Sequence, residues 1–422
     1  MEHIDIVILG AGIAGLGAAL AARQQGRRAV LFEARHRAGG LLDNFEVDGF
    51  RFDHAVHLSF ASEPRVREIF DRTPYLTHPA DSTCFEDGRW LKHPVQNNLH
   101  PLPPQQKVDL IQSFLARPAE LDGEDYEHWL RHQYGDAIAE RFPIKYTAKY
   151  WATPADGLST TWIGNRMRRA ELGEILFGAF TDETPNTYYT KEMRYPQKGG
   201  YKAFIQGLID ESDIRTGHEA VNVDPVERIV RFRDGSCVGY DRLVSTLPLP
   251  VLASLTDAPT TVLEAAARLK ATSIDLISVG IDSPVDFPLW LYIYDEDLLA
   301  SRIYSPSKKS PDNVPAGCSS LQLEVYSRGT EPRYTKEALI ENARLTIKRL
   351  GLCDPAAVRF YDHRRLPYGN VIFDRGMEDD RDIVRKHVEA QNILSRGRFG
   401  EWDYFWSNQS LISGYEALSR ES

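Results

Sequence analysis

The chain has 422 residues, enough for about two or three domains and for a core that needs no disulfide or metal staple. Hydrophobic residues make up 42% and charged residues 26%, an ordinary globular balance that excludes fibrous and low-complexity classes. A net charge of −10 argues against a partner nucleic acid or anionic membrane. The four scattered cysteines, with no CxxC or CxxH pair, leave no zinc or dithiol motif and fit a reducing, cytoplasmic setting.

Residues 4–9 are a short β-branched run, predicted as a buried strand. Gly10, Gly12 and Gly15 follow, then an alanine-rich helix over 16–25 and a second strand over 28–33. The apolar stretch 6–22 is too short for a membrane span, carries four glycines and follows an acidic start, so neither a span nor a secretion signal is expected. From 63 to 141 the spacing changes to helical, with helices over 105–116 and 126–141 separated by the prolines of 101–104. Residues 222–246 alternate around Asp234-Gly235, a hairpin signal. A helix is predicted over 263–269, strands over 274–281, 290–294 and 319–326, a long Pro/Ser loop over 305–317, and an amphipathic helix over 336–350. The acidic run 378–382 reads as a solvated loop, and 397–419 as an aromatic stretch followed by a helix.

The strand–glycine turn–helix–strand opening has a physical logic. Gly10 permits a tight turn, Gly12 lets backbone approach a pyrophosphate, and Gly15 lets helix and strand pack closely, with the helix N-terminus facing the phosphates. Glu33, at the end of the second strand, accepts hydrogen bonds from ribose hydroxyls and would repel a 2′-phosphate. A dinucleotide site is the expectation.

Beyond Glu33, Arg37 precedes Gly39-Gly40. A basic residue and paired glycines just past the acid resemble the flavoproteins of the amine oxidase and protoporphyrinogen oxidase superfamily, as do segments 222–246 and 397–400. Further stretches narrow the resemblance: DGFRFDHAVHLSF (48–60), HPVQNN (93–98), KYWATP and WIGNR (within 149–166), RYPQKGG (194–200), WLYIY (290–294) with Arg302, RRLPYGN (364–370) and GRFGEWDYFWSNQ (397–409). Together they are similar to UDP-galactopyranose mutases, most of all the eukaryotic type.

That resemblance implies an α/β fold: a Rossmann-like FAD-binding domain made of 1–60, 190–260 and 350–422, a helical insertion over 61–189, and a β-sheet substrate domain over 261–349. It implies FAD, active when reduced, with NADPH or NADH as a possible reductant. Cofactor contacts fall at Gly10, Gly12, Ala14, Gly15, Glu33, Arg37, Gly39, Gly40, Leu41, Val223, Arg398 and Asn408. The implied reaction is pyranose–furanose interconversion of a nucleoside-diphosphate sugar, with reduced flavin N5 as nucleophile on the anomeric carbon and no net redox. Arg166 and Arg302 would clamp the diphosphate, a task suited to the planar, permanently charged guanidinium. His57 would lie beside the flavin ring, and Gln96, Trp290, Tyr292, Tyr368, Tyr404 and Asn408 would contact the substrate. The chain departs from the family pattern at His93, where a tyrosine near the base is usual, at Thr190 or Lys191, where an asparagine is usual, and at Ala55-Val56, which replace two glycines. The alternative is an FAD-dependent oxidoreductase of the amine oxidase or protoporphyrinogen oxidase type. The sequence carries no heptad or long apolar run that would point to an oligomer interface.

Overall fold

The computed structural model describes residues 1–80, 82–164, 171–185 and 192–419. It is an α/β protein built on two seven-stranded sheets. At the centre of the first lies Glu2–Leu9, with Ile6, Val7, Ile8 and Leu9 all buried, as a parallel strand covered on both faces requires. It pairs in parallel with Ala29–Glu33 and with Cys237–Ser245. Asp213–Thr216 extends one side; the other carries the antiparallel strands Ile229–Phe232 and Ala220–Asp224. Asp234-Gly235 is the expected hairpin turn, with Gly235 at φ 85°. Ile393–Ser395 pairs with the last three residues of Cys237–Ser245.

Helix Ile13–Gln24 is buried at every residue from Ile13 to Ala22. The cause is a second helix, Ser407–Ser419, laid close against it. A Cβ at Gly17 would sit 2.3 Å from the Leu411 carbonyl oxygen, and one at Gly414 only 1.8 Å from that of Ala14. The small residues of this helix therefore permit backbone contact on one side and sheet contact on the other.

The second sheet runs in the order Val358–Leu366, Thr272–Ile281, Ser319–Arg328, Arg302–Tyr304, Trp290–Ile293, Ser82–Glu86, Arg89–Lys92. Neighbours are antiparallel except Trp290–Ile293 with Ser82–Glu86. All ten residues of Thr272–Ile281 are buried. Helix Lys336–Leu350 forms as predicted, capped by the Thr335 side chain, which accepts from the Ala338 N–H, and stopped by Gly351 at φ 64°.

Three local expectations change. Segment 61–189 is not purely helical: it sends Ser82–Glu86 and Arg89–Lys92 into the second sheet through an Asp87-Gly88 turn, both residues having positive φ (48° and 74°). The helix predicted over 126–141 breaks at Gly135, where an added Cβ would stand 2.4 Å from the Ser113 carbonyl oxygen, and resumes as Asp136–Ala139, which a π-helical turn over Glu140–Ile144 joins to Lys145–Tyr150. The acidic run 378–382 is not a loop but the first turns of helix Met377–Ala390, where Glu378, Asp379 and Asp380 favour the positive end of the helix dipole. Asp380 also pairs with Arg268 at 2.6 Å.

Candidate active site

A cavity of about 830 Å³ lies between the second sheet, the helical segment and the turn before the last helix. Strand register builds its charged wall. Tyr292 stands directly opposite Arg302, and Arg302 opposite Glu324, so the three form one cross-strand row. Arg302 donates from Nε to Glu324 Oε2 at 2.7 Å and from a terminal nitrogen to the Tyr326 hydroxyl at 3.0 Å. Tyr326 in turn donates to Glu324 Oε2 at 2.9 Å, and the Val56 N–H donates to Oε1 at 2.8 Å. Burial works against the Arg302 charge, but the Glu324 carboxylate holds the guanidinium well above its ordinary range.

Aromatic side chains face this row. Tyr146 meets Tyr292 edge-on at 5.4 Å, the Tyr150 ring lies 5.4 Å from the Arg302 guanidinium carbon, and the Tyr150 and Tyr404 hydroxyls are 3.1 Å apart. Burial pushes the Tyr146, Tyr326 and Tyr404 phenols far up, so they remain protonated donors. The His93 ring packs on Tyr292 at 4.7 Å, and burial lowers its pKa to about 4. Lys149 draws the helical side inward by donating to the Ile293 and Asp295 carbonyls, each at 2.9 Å.

A second cation, Arg398, comes from the short helix Gly397–Gly400. It donates to Asn370 Oδ1 at 2.7 Å and lies 5.0 Å from the Tyr404 ring centre. Arg398 Nε and Asn370 Nδ2 are buried donors with no acceptor among the described residues, and both residues border the cavity. Such donors suit an acceptor-rich ligand.

Of the residues singled out in the sequence, His57, Gln96, Trp290, Tyr292, Arg302, Arg398, Tyr404, Asn408 and Leu41 line the cavity. Asn408 is nearly buried and donates to Glu63 at 2.7 Å. Tyr368 is not on the lining; its ring turns to Phe399 at 5.5 Å, while the adjoining Gly369 and Asn370 take the wall. Arg166 and Thr190/Lys191 lie outside the described residues. Gly10, Gly12, Ala14, Gly15, Glu33, Gly39 and Gly40 gather at the ends of Glu2–Leu9 and Ala29–Glu33, where the Gly39 N–H donates to the Ala11 carbonyl at 2.9 Å. Arg37 is exposed and pairs with Asp43 at 3.0 Å. The Val223 side chain is buried in the core with Val230 and Phe232. Sequence reasoning missed Glu324 and Tyr326. The signal was present: polar residues recur at every second position, Gln322, Glu324 and Tyr326, alternating with the apolar Leu321, Leu323 and Val325.

Residues 13–371 match the family described as flavin containing amine oxidoreductase. The chain belongs to that family. This family member superimposes on the crystal structure of reduced UDP-galactopyranose mutase with a TM-score of 0.92 and 26% identity, covering 98% of this chain and 94% of that one. It is also 25% identical over 295 residues to protoporphyrinogen oxidase 2 of Arabidopsis thaliana, or 58% of this chain and 57% of that protein. A 56-residue stretch is 38% identical to all-trans-retinol 13,14-reductase of Danio rerio, only 13% of this chain and 9% of the reductase. The family member therefore spans well under two thirds of the length of these two curated relatives. Among the described residues no helix is long and apolar enough to cross a membrane.

The residues present fit the flavin dinucleotide of this family. Gly10 has φ +97°, and its neighbour Gly12 begins helix Ile13–Gln24 with no side-chain cap, leaving N–H groups for phosphate oxygens. A Cβ at Gly40 would lie 3.0 Å from Gly12 Cα and fill the cradle between the two turns. Glu33 sits at the strand end with its carboxylate oriented by the Ala11 and Arg35 N–H groups, each at 2.9 Å.

Proposed function

We propose that the protein is an FAD-dependent mutase that interconverts the pyranose and furanose forms of a nucleoside-diphosphate sugar. The observation that carries this reading is Arg302: a permanently charged guanidinium on the wall of an aromatic cavity, set by strand register beside Tyr292. Likeness to reduced UDP-galactopyranose mutase over nearly the whole chain supports it. In this reading residues 1–60, 190–260 and 350–422 hold the cofactor, with Gly10, Gly12, Ala14, Gly15, Glu33, Gly39 and Gly40 on the ADP half, and the second sheet holds the sugar nucleotide.

When bound and reduced, by NADPH or NADH, the flavin supplies the nucleophile for the anomeric carbon. Arg302 stabilises the charge that develops on the departing diphosphate, working in a desolvated site where a fixed cation is most effective. Arg166, from the WIGNR motif, is its partner in the clamp. Arg398 Nε and Asn370 Nδ2 offer the donors that lack acceptors. Tyr292, Tyr404 and Trp290 give the sugar apolar faces and phenolic hydrogen bonds, holding it in one orientation. Gln96 and His93 border the base end of the cavity. The His57 Nδ1–H donates to the Ala55 carbonyl at 3.1 Å, and burial lowers its pKa to about 4, so Nε2 is a neutral acceptor on a residue that lines the cavity.

One observation favours a second reading, a redox flavoenzyme: the match to protoporphyrinogen oxidase 2 over 58% of the chain. One experiment separates them. Dithionite-reduced and oxidised protein are incubated with UDP-, dTDP- and GDP-hexoses and analysed chromatographically for furanose isomers. An isomer from the reduced protein alone is expected, and the donor that gives it identifies the sugar. No isomer from any donor, together with oxygen consumption on an amine or porphyrinogen, would establish the redox reading instead.

A further inference from the structure

Behind the cavity wall the structure buries a charge pair that the proposed chemistry does not use. Lys309 ends the short helix Pro306–Lys309, inside the stretch whose Pro/Ser composition reads as an open loop. Its side chain is 0% exposed and that of its partner Asp53 1%. Lys309 Nζ donates to Asp53 Oδ2 at 2.8 Å and lies 4.3 Å and 4.6 Å from the ring centres of Tyr304 and Tyr195. The Tyr195 hydroxyl donates to the same Oδ2 at 2.8 Å, and the Tyr201 N–H to Oδ1 at 3.0 Å. Both carboxylate oxygens are thus engaged, by donors from two separate segments of chain, 195–201 and Lys309.

Asp53 ends strand Phe50–Asp53 and opens the loop that carries His57. Two paths connect the pair to the imidazole. Tyr201, bonded to Asp53, packs its ring on His57 at 5.1 Å and 31°. The loop itself runs through Ala55, held at φ 73° although it has a Cβ, to the Nδ1–carbonyl bond between His57 and Ala55. On the other side Glu324 takes the Val56 N–H. His57 therefore hangs between two ion pairs, the fully buried Asp53–Lys309 and Glu324–Arg302 at the cavity wall.

We propose that Lys309, through Asp53, is a positioning residue for His57: a buried strut that sets how the imidazole faces the cavity. The inference rests on reading His57 as part of the reactive site. A buried ion pair generally stabilises a fold no better than apolar side chains of the same volume would. What the pair supplies that apolar packing lacks is direction, because hydrogen bonds on both carboxylate oxygens fix where the loop begins. Its charges also reach the imidazole. Burial is the main cause of the low His57 pKa; the Asp53 carboxylate opposes it, the Lys309 ammonium reinforces it, and Glu324 opposes it.

The test uses the full-length protein labelled with 15N-histidine, the His57 ring signals being assigned by their loss in His57→Gln. The double variant Asp53→Asn/Lys309→Met keeps the shape and removes both charges. Tyr195→Phe removes one hydrogen bond to Asp53 and is the milder probe should the double variant not fold. Displaced His57 ring resonances are expected in both, with a changed absorption spectrum of bound flavin and kcat lowered about tenfold at nearly constant KM, the pattern of a misaligned reacting group. Lys309→Arg should restore most of the resonance positions. Unmoved resonances and an unmoved flavin spectrum in a folded double variant, or in Tyr195→Phe if the double variant is unfolded, would overturn the proposal. The ring resonances are read without turnover. Absence of isomerase activity in the unsubstituted protein, with displaced resonances in the variants, would therefore sink the mutase reading and leave the strut standing.

Discussion

The glycine turn draws its parts from residues 4–40, whereas the cavity gathers His57, His93, Tyr150, Arg302 and Tyr404 from segments that are remote in the chain. At the turn, backbone does the work, and the residues that matter are those with nothing to clash: a Cβ at Gly15 would stand 2.0 Å from the Gly10 carbonyl oxygen. At the cavity, side chains do the work, and Arg302 is placed both by strand register and by a charge partner. The first kind of site is intolerant of added atoms. The second is intolerant of lost partners.

Three substitutions or conditions would break or sharpen that contrast, in order of expected effect. Gly15→Val forces a branched side chain into backbone that has no room to yield. A loss of about 3 kcal/mol or more is expected, with no bound flavin, measured by urea unfolding and flavin absorbance. Unchanged stability would mean that the helix and turn are less tightly packed than described.

Arg302→Ala removes a partner instead. It should cost about 10² to 10³-fold in kcat/KM while flavin stays bound. It should also destabilise the fold by about 3 kcal/mol, because Glu324 is then a buried carboxylate without its cation. Adding Glu324→Gln should return stability but not turnover. Near-normal turnover in Arg302→Ala would take the residue out of the mechanism.

The third test is pH. His57 and His93 titrate near pH 4 in the folded protein against an ordinary 6.5, with burial the leading cause. Between those values the unfolded chain binds protons that the folded chain does not. Stability is therefore full above about pH 6.5 and falls as the pH drops toward 4, by at most about 3 kcal/mol for each imidazole. Urea midpoints near pH 7 and near pH 4.5 measure this, and His57→Gln with His93→Gln should flatten the difference. A slope that survives both substitutions would place the titrating groups elsewhere.

Much of the site was legible because its motifs are local. Tyr292 and Trp290 stand in one apolar strand, Arg398, Tyr404 and Asn408 in one aromatic stretch, and the glycines in one turn. Glu324 escaped notice because its role depends on which residue lies opposite it in the sheet, and Lys309 because a lysine in a Pro/Ser-rich stretch reads as solvent-exposed. The Asp87-Gly88 hairpin was not read, because the helical spacing farther along the segment, over 105–141, sets a helical expectation for all of it. Tyr368, within the RRLPYGN motif, turns its ring to Phe399, while its neighbours Gly369 and Asn370 line the cavity.

By itself, the sequence determined the strand–turn–helix that cradles a dinucleotide and the amphipathic helix Lys336–Leu350. These follow from short-range geometry: glycine tolerance, helical periodicity and alternation are properties of neighbours in the chain. Only the tertiary structure decided that Tyr292, Arg302 and Glu324 share a row, that two small-residue helices touch through their backbones, and that Asp53 and Lys309 meet away from water. Pairing between distant segments is set by register and burial. A charge becomes a strut or a clamp only when the fold excludes solvent around it.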